Sequence, residues 1–102
     1  MAGASTELHE SEESLGAEVI DLHRALVSIQ EELEAADWYN QRARATDDPD
    51  LAAILEHHRD EEKEHAAMLL EWVRRHDPAL DEHLHTYLFT EDSITEIEGD
   101  DD

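Results

Sequence analysis

Cysteine is absent from this chain of 102 residues, and glycine and proline occur only three times and twice. Without cysteine there is no disulfide framework and no thiolate metal site, and the composition fits a reducing compartment. No apolar run approaches the roughly 20 residues with which a helix crosses a bilayer. The first residues, "MAGASTELHESEES", lack the basic and apolar parts of a secretory signal. We therefore expect a cytoplasmic protein without membrane contact.

Basic residues are also scarce, since seven Lys and Arg stand against 29 Asp and Glu, a formal net charge of −22. Such a field repels nucleic acid and anionic membranes, and it attracts cations. Neither end of the chain contains a base: residues 1–14 hold four acids and residues 91–102 hold seven. We expect residues 1–10 to be a disordered acidic N-terminus and residues 91–102 to be a mostly flexible acidic tail.

The middle of the chain, residues 11–90, is predicted to be all-α, an antiparallel two-helix hairpin with a short third helix. Asp48 followed by Pro49 is typical of a helix start, because Asp caps free amides and Pro fits the first helical position. The second helix should run from Pro49 to about His76, and the third from about Pro78 to Phe89. In the first helix, apolar residues recur in alternating steps of four and three, the period of a helix in a left-handed bundle: Leu15, Val19, Leu22, Leu26, Ile29, Leu33 and Ala36.

A hairpin of this kind has too little surface to cover its own apolar residues. Two helices of about 30 residues are each roughly 45 Å long at 1.5 Å per residue, and they can shield only one side of each other. A second hairpin would cover the remainder. The sequence therefore predicts that two copies of the chain dimerise into a four-helix bundle.

Ionisable residues interrupt the apolar stripe of both long helices. Glu32 falls between Ile29 and Ala36 on the first. On the second, Glu62 and His65 are three residues apart, so they share one face. If the turn is at Asp47, Glu32 lies fifteen residues before it and Glu62 fifteen residues after it. In an antiparallel pair of equal rise, both lie roughly 22 Å from the turn, so the three side chains should meet at one level.

Two explanations are open for these charges within an apolar stripe. Inward carboxylates are costly unless they are paired, and a salt-bridged helix contact with Arg24, Arg59 or Lys63 would pair them. The other explanation is a bound metal, which the positions favour because none of the three basic residues lies on the stripe.

The ligand types indicate which metal. Carboxylates with one imidazole per metal suit iron or manganese. Di-iron bundles use a Glu from each of two helices and a Glu-x-x-His from each of the other two, and this chain contains half of that set. Two chains would complete a di-iron centre with four carboxylates and two imidazoles. The alternative function is a non-catalytic acidic helical module that binds divalent cations and mediates association.

A second acidic stripe lies one residue out of phase with the first. It is either a solvated acidic face or a set of weak sites that collect Fe²⁺ and could also take Ca²⁺ or other divalent cations. Tyr39, two turns from Glu32, either reaches a ligand through its hydroxyl or fills the core, and His58 is a spare ligand or a core histidine. The members of the second stripe are Glu31 and Glu34 on the first helix, and His57, Glu61 and Glu64 on the second.

The segments "SIQEELEAADWYNQR", "DPDLAAILEHHRDEEKEHAAMLLEW" and "HLHTYLFTE" resemble the encapsulated ferritins, the half-ferritins housed in encapsulin nanocompartments. The resemblance implies a ferritin-like four-helix bundle between two chains, a ring-shaped decamer of such dimers, and a ferroxidase that oxidises Fe²⁺ to Fe³⁺ for mineral storage inside the encapsulin shell. By motif, Glu32, Glu62 and His65 match the iron ligands, and Tyr39 matches a tyrosine beside them. Two further groups match peripheral sites of that family: Glu31 and Glu34 a site where iron enters, and His57, Glu61 and Glu64 an outer site.

One segment departs from that family's pattern. Family members end in a short apolar, Gly-containing peptide that docks on the inner wall of the shell. The last residues here, "EIEGDDD", do not resemble it, so either that segment has been trimmed or loading into a shell does not follow from this sequence.

Overall fold

A computed structural model describes residues 7–101, and every regular element in that range is an α-helix. The elements are α1 (Glu12–Ala45), α2 (Pro49–His76), α3 (Pro78–Tyr87) and α4 (Ile94–Asp101). Helices α1 and α2 pack against each other as a hairpin, α3 packs on α2, and α4 packs on α3. The predicted all-α hairpin with a short third helix is confirmed. The first six residues of the predicted disordered N-terminus lie outside the described range.

The starts of α2 and α3 are fixed by local hydrogen bonds. The Asp48 carboxylate accepts from the backbone N–H groups of Asp50 at 2.9 Å and Leu51 at 3.3 Å. The Asp77 carboxylate accepts from the N–H of Leu80 at 3.0 Å. Each cap precedes a proline at the first helical position, where the missing N–H has no intrahelical partner to lose. The hydrogen bonds of Asp48 are those that the sequence predicted for the start of α2.

Helix α1 begins earlier than its apolar pattern. The Ser11 hydroxyl accepts from the N–H of Ser14, and the helix starts at Glu12. A kink follows at Gly16, whose φ of +80° and ψ of 165° are not helical. Only glycine adopts this conformation without strain. The first turn of α1 therefore points in a different direction from the rest of the helix.

The C-terminal part of the chain differs from the sequence expectation. Helix α3 ends at Tyr87, two residues before the predicted end, and Phe89 then takes a positive φ of 59°. A fourth helix, α4, occupies most of the segment for which the sequence predicted an acidic tail. Its two isoleucines are spaced three apart, and the side chain of Ile97 is half-buried.

Few side chains of a single chain are buried. Among the described residues only Ala25, Ala36, Ala66 and Val73 are buried, and these small side chains let the two long helices approach closely. Twelve large apolar residues are exposed instead, and they include Met68. This matches the expectation that a hairpin cannot cover its own apolar surface. None of the described helices is long and apolar enough to cross a membrane.

Helix α3 is tied to α2 by ion pairs of Arg74. Its guanidinium donates two hydrogen bonds of 2.7 Å to the Glu71 carboxylate and a third, short one to Asp81 of α3. Arg75 also donates to Glu71, at 2.6 Å. The hydrogen bonds from Arg74 and then Arg75 lower the pKa of Glu71 from its ordinary value of 4.5 to about 2. Since this folded-state pKa is lowered, the ion pairs are fully formed above about pH 4.5 and are lost as the pH falls through about 2.

Replacing Arg74 by glutamine should raise the pKa of Glu71 toward its ordinary value. The hydrogen bonds from the Arg74 guanidinium are the largest cause of the lowered pKa, and the variant loses them. The pKa should remain below 4.5, since Arg75 still donates to the same carboxylate. An NMR titration of the side-chain carboxyl carbon measures this directly. Arg44→Gln is the matched control, because Arg44 also lies in the last turn of a long helix, and there the Glu71 titration should not move. An unchanged Glu71 pKa in Arg74→Gln would contradict the assignment of Arg74 as the main cause of the lowered pKa.

Candidate metal centre

Three ligand-bearing side chains from the two long helices meet at one level of the hairpin. Glu32 of α1 and Glu62 and His65 of α2 each offer one ligand atom, and these atoms all lie within 4.8 Å of one another. The Nδ1 of His65 is 3.5 Å from Oε2 of Glu32 and 3.8 Å from Oε2 of Glu62. The equal spacing of both glutamates from the turn, read from the sequence, accounts for this meeting.

These three side chains, hereafter the triad, lie at an open edge of the helix pair. The Glu32 and Glu62 side chains are 27% and 23% exposed, and that of His65 is 46% exposed. The sequence placed them on an inward stripe, but in a single chain they are only partly covered. On α2 the neighbours of His65 on this side are Met68 and Trp72, which are also exposed. We call this side of the hairpin the triad face.

The basic residues that could have neutralised the triad bind elsewhere. Arg24 donates to Asp21 at 2.8 Å. Arg59 donates to Asp60 at 2.9 Å and to Asn40 at 3.0 Å. Lys63 lies 4.0 Å from Asp60. The salt-bridge explanation of the inward glutamates therefore lacks its cations in the described chain.

Two of the separations within the triad are short enough for one small cation. Two ligands that each lie about 2.1 Å from one ion are at most about 4.2 Å apart. The 3.5 and 3.8 Å separations fall inside this limit. They are also longer than hydrogen bonds of good geometry. Carboxylate and imidazole donors without thiolate favour iron or manganese over a structural zinc site.

The residues of the second stripe do not join a comparable group within one chain. In residues 7–101, the triad is the one cluster of three or more acidic or histidine ligands close enough to hold an ion. His57 and Glu61 form an exposed pair, with Nε2 and Oε1 2.8 Å apart. Glu31, Glu34 and Glu64 are exposed. The second stripe thus consists of four exposed acids and one exposed histidine on the two helices that carry the triad.

Two neighbouring side chains, His58 and Arg42, lie against the ring of Tyr39. The sequence indicated only His58 as a candidate site residue. The half-buried ring of Tyr39 lies edge-on to the ring of His58, 5.2 Å between centroids. The guanidinium of Arg42 lies 5.6 Å from the Tyr39 ring centroid and 6.0 Å from that of Trp38. Arg42 lies in the last turn of α1, where a positive charge suits the helix dipole. Its spacing of three and four residues from the two aromatic rings was the signal for this contact.

The chain is similar to one protein family over most of its length. The family model described as EncFtn-like matches residues 7–91. An "Encapsulated ferritin-like protein" of Rhodospirillum rubrum is 60% identical over 101 residues, which are 99% of this chain and 72% of that protein.

Two further comparisons are with a solved crystal structure and with a relative whose name refers to an encapsulin. The crystal structure of protein ne0167 from Nitrosomonas europaea superposes with a TM-score of 0.82 at 59% identity, covering 85% of this chain and 96% of that one. The "Encapsulin nanocompartment cargo protein EncC" of Myxococcus xanthus is 46% identical over 52 residues, 51% of this chain and 40% of that protein. The helical hairpin is thus shared with a solved structure of high identity.

Proposed function

This chain belongs to the EncFtn-like family, the encapsulated ferritins, and on that basis we propose that it is a ferroxidase that oxidises Fe²⁺ to Fe³⁺ with dioxygen. The observation that carries the proposal is the meeting of Glu32, Glu62 and His65, while in the described residues the nearby Arg and Lys side chains pair with other acids. Iron is the substrate, and the triad is its binding site. The ligand types agree with this, since carboxylate and imidazole are the donors of di-iron bundles.

A second copy of the chain is needed to complete the site. One triad offers two carboxylates and one imidazole, which is half of a di-iron ligand set. The triad lies at an open edge, with partly exposed side chains and exposed apolar neighbours around it. Two triad faces brought together about a two-fold axis would join the two half-sites and cover those apolar residues. The dimer would then be a ferritin-like four-helix bundle.

The charge of the joined triads suits binding of Fe²⁺ and release of Fe³⁺. Four carboxylates carry four negative charges, which balance two Fe²⁺ ions. Each ion loses one electron, and two electrons with two protons from solvent reduce one dioxygen to hydrogen peroxide. The pair then carries two positive charges beyond those of its ligands, so the oxidised ions bind hydroxide or leave. The protein's part is to bring the two ions together in a partly water-excluded site.

The second acidic stripe and Tyr39 have supporting roles in this proposal. Exposed carboxylates raise the local concentration of cations, so the stripe would gather Fe²⁺ beside the triad and would also take Ca²⁺. Tyr39 is held between the His58 ring and the Arg42 guanidinium, and it would restrict the space on the turn side of the triad. The stripe residues are Glu31, Glu34, His57, Glu61 and Glu64.

The product would be stored inside an encapsulin nanocompartment. One relative is named an encapsulin nanocompartment cargo protein, and that name supports the same location for this chain. We propose that the chain associates with an encapsulin shell protein and that its dimers assemble into a ring, as the family resemblance implies for a decamer. The mineral would form within the shell, since the family resemblance implies an open ring rather than a ferritin cage.

Measurement of Fe²⁺ oxidation under air tests the proposal. We expect dioxygen consumption well above the protein-free rate, with two Fe²⁺ bound for every two chains under anaerobic conditions. The alternative, an acidic module without catalysis, predicts similar binding of Ca²⁺, Zn²⁺ and Fe²⁺ and a dioxygen consumption no faster than background. That result would overturn the ferroxidase assignment.

A further inference from the structure

Met68 places an exposed thioether beside the triad. The residue is 67% exposed. It follows His65 by three residues on α2, so the two side chains are neighbours on one helix face, with about 5–6 Å between their Cβ atoms. Met68 also lines an open hollow of about 560 Å³ together with Trp72 and Arg75. A small solute at the triad therefore has a short path to the sulfur of Met68.

Sulfur is otherwise rare in this chain. Methionine occurs only at positions 1 and 68, and there is no cysteine, so Met68 holds the one sulfur atom of residues 7–101. Leucine has a similar volume and would cover the same apolar surface. It lacks the thioether, however, which oxidants convert to a sulfoxide. The chain thus has its one oxidisable sulfur in the described helices next to the site at which dioxygen would be reduced.

Hydrogen peroxide, the product of dioxygen reduction in the proposed ferroxidase reaction, oxidises a thioether without a further reagent. A lone pair of the sulfur attacks one peroxide oxygen, so that an S–O bond forms and the O–O bond breaks. The second oxygen takes up the proton of the first and leaves as water. The sulfur loses two electrons, the peroxide gains them, and the product is methionine sulfoxide.

We propose that Met68 is a modification site, at which peroxide formed at the triad produces the sulfoxide, and that the sulfoxide weakens the contact between two triad faces. The proposal rests on the proposed ferroxidase reaction and on dimerisation through the triad face. A sulfoxide is polar and accepts hydrogen bonds that an apolar contact does not supply. Dimers that retain their peroxide would therefore separate, and separation would stop further peroxide formation at the joined site.

Dimerisation changes which peroxide reaches this sulfur. In the single chain Met68 is open to solvent, so peroxide added to the solution reaches it. In the proposed dimer the two triad faces shield the sulfur from bulk solvent. Peroxide formed at the joined triads arises within the same contact. Distance from the triad, rather than exposure, then decides which methionine is oxidised.

The first test locates the sulfoxide by peptide mass spectrometry after Fe²⁺ oxidation under air. Fe²⁺ is added in steps of two ions for every two chains, and catalase in the solution destroys peroxide that leaves the protein. Met68 should gain one oxygen atom at least about tenfold more often than Met1, because a reagent formed beside its target acts at a high effective concentration. Equal oxidation of both methionines, or an unmodified Met68 while dioxygen is consumed, would overturn the proposal.

A second test does not depend on iron oxidation. The metal-free chain is treated with hydrogen peroxide until Met68 is a sulfoxide, the peroxide is removed, and dimerisation in anaerobic Fe²⁺ is measured by sedimentation equilibrium. The dimer dissociation constant should rise about tenfold or more, because the contact then covers two polar groups without partners. An unchanged constant would overturn the proposal. Absence of dioxygen consumption would contradict only the ferroxidase assignment and would leave this second result unaffected.

Three variants assign the effect to Met68. Met68→Leu retains Met1 and the apolar volume, so its dimer dissociation constant should be the same before and after peroxide treatment. It should also match the initial Fe²⁺ oxidation rate of wild type and keep that rate through more additions of Fe²⁺. Met68→Gln introduces a polar side chain and should weaken dimerisation without any oxidant. Ile94→Gln, at a residue of α4 with a matching exposure of 68%, should not. Weakened dimerisation of peroxide-treated Met68→Leu would show that another residue is responsible.

Discussion

Glu62→Ala should lower the rate of Fe²⁺ oxidation at least about a hundredfold. The change removes one carboxylate from each chain, so the proposed joined site loses two of its four negative charges against two Fe²⁺ ions. Loss of a residue that only supports a metal ligand costs about 10–100-fold, and loss of the ligand itself should cost more. Glu32→Ala and His65→Ala should have effects of the same order, because each takes one ligand type from both half-sites. Dioxygen uptake and formation of Fe³⁺, recorded together, measure the loss.

The control for this series is Glu56→Ala. Glu56 lies on the same helix and is exposed, but at six residues from Glu62 it projects about 120° away from it. Glu56→Ala removes the same charge from the chain and leaves the triad unchanged, so the oxidation rate of this variant should stay close to that of wild type. Wild-type rates in all three triad variants would contradict the assignment of the site. Equal losses in Glu56→Ala and Glu62→Ala would show that overall charge, rather than ligation, governs the rate.

The stability of the variants separates ligation from folding. The Glu62 side chain is partly buried and faces Glu32 across His65, so like charges repel in the metal-free chain. Glu62→Ala should therefore unfold at a temperature no lower than that of metal-free wild type. Fe²⁺ should raise the unfolding temperature of wild type but not of this variant, because a ligand stabilises only the state that binds it.

Anaerobic Fe²⁺ should shift the chain from monomer toward dimer by a large factor. Without metal, four carboxylates crowd the proposed interface and oppose association. An ion that binds only the joined site stabilises the dimer by RT ln(1 + [L]/Kd), about 2.7 kcal/mol at a hundredfold excess over Kd. This corresponds to an apparent dimer dissociation constant lowered about a hundredfold. Sedimentation equilibrium over a series of chain concentrations would measure it.

Screening must be separated from ligation in that experiment, because a chain of −22 associates more readily in any salt. Na⁺ at matched ionic strength gives the screening contribution alone. Glu62→Ala should respond to Na⁺ as wild type does and should lose the additional response to Fe²⁺, whereas Glu56→Ala should retain it. Identical oligomer distributions with and without Fe²⁺ would argue against a site shared between chains.

The bounds of α2 followed from local sequence signals. The range Pro49–His76 is the predicted second helix, because the Asp48 cap and the prolines act within a few residues of their own position. Where the expectation differed, the local signal was weak or absent. The kink at Gly16 follows no apolar pattern, and α4 forms in a segment whose seven acids suggested a tail. The stop of α3 at Tyr87 depends on the conformation of Phe89, which is a residue type that rarely adopts it.

The side-chain environment was harder to predict than the backbone. Arg74 lies in the last turn of α2, where a positive charge is favourable, but its bond to Asp81 of α3 required the angle between two helices. Similarly, Arg42 lies in the last turn of α1, where its charge suits the helix dipole, but its position over Tyr39 depends on the rotamers of both residues. Such contacts combine several torsions, and the sequence specifies each of them only loosely.

The sequence by itself determined which three side chains of the triad meet and at what level, because the rise per residue of a helix is constant and equal numbers of residues from the turn of an antiparallel pair reach equal heights. Only the tertiary structure decided how open that position is, with Glu32 and Glu62 partly covered and His65 exposed. It also decided where α3 lies and that the side chain of Phe89, which lines a groove between α2 and α3, is fully exposed. The physical reason is that helix period and capping act along the chain, whereas burial depends on which surfaces of different elements meet.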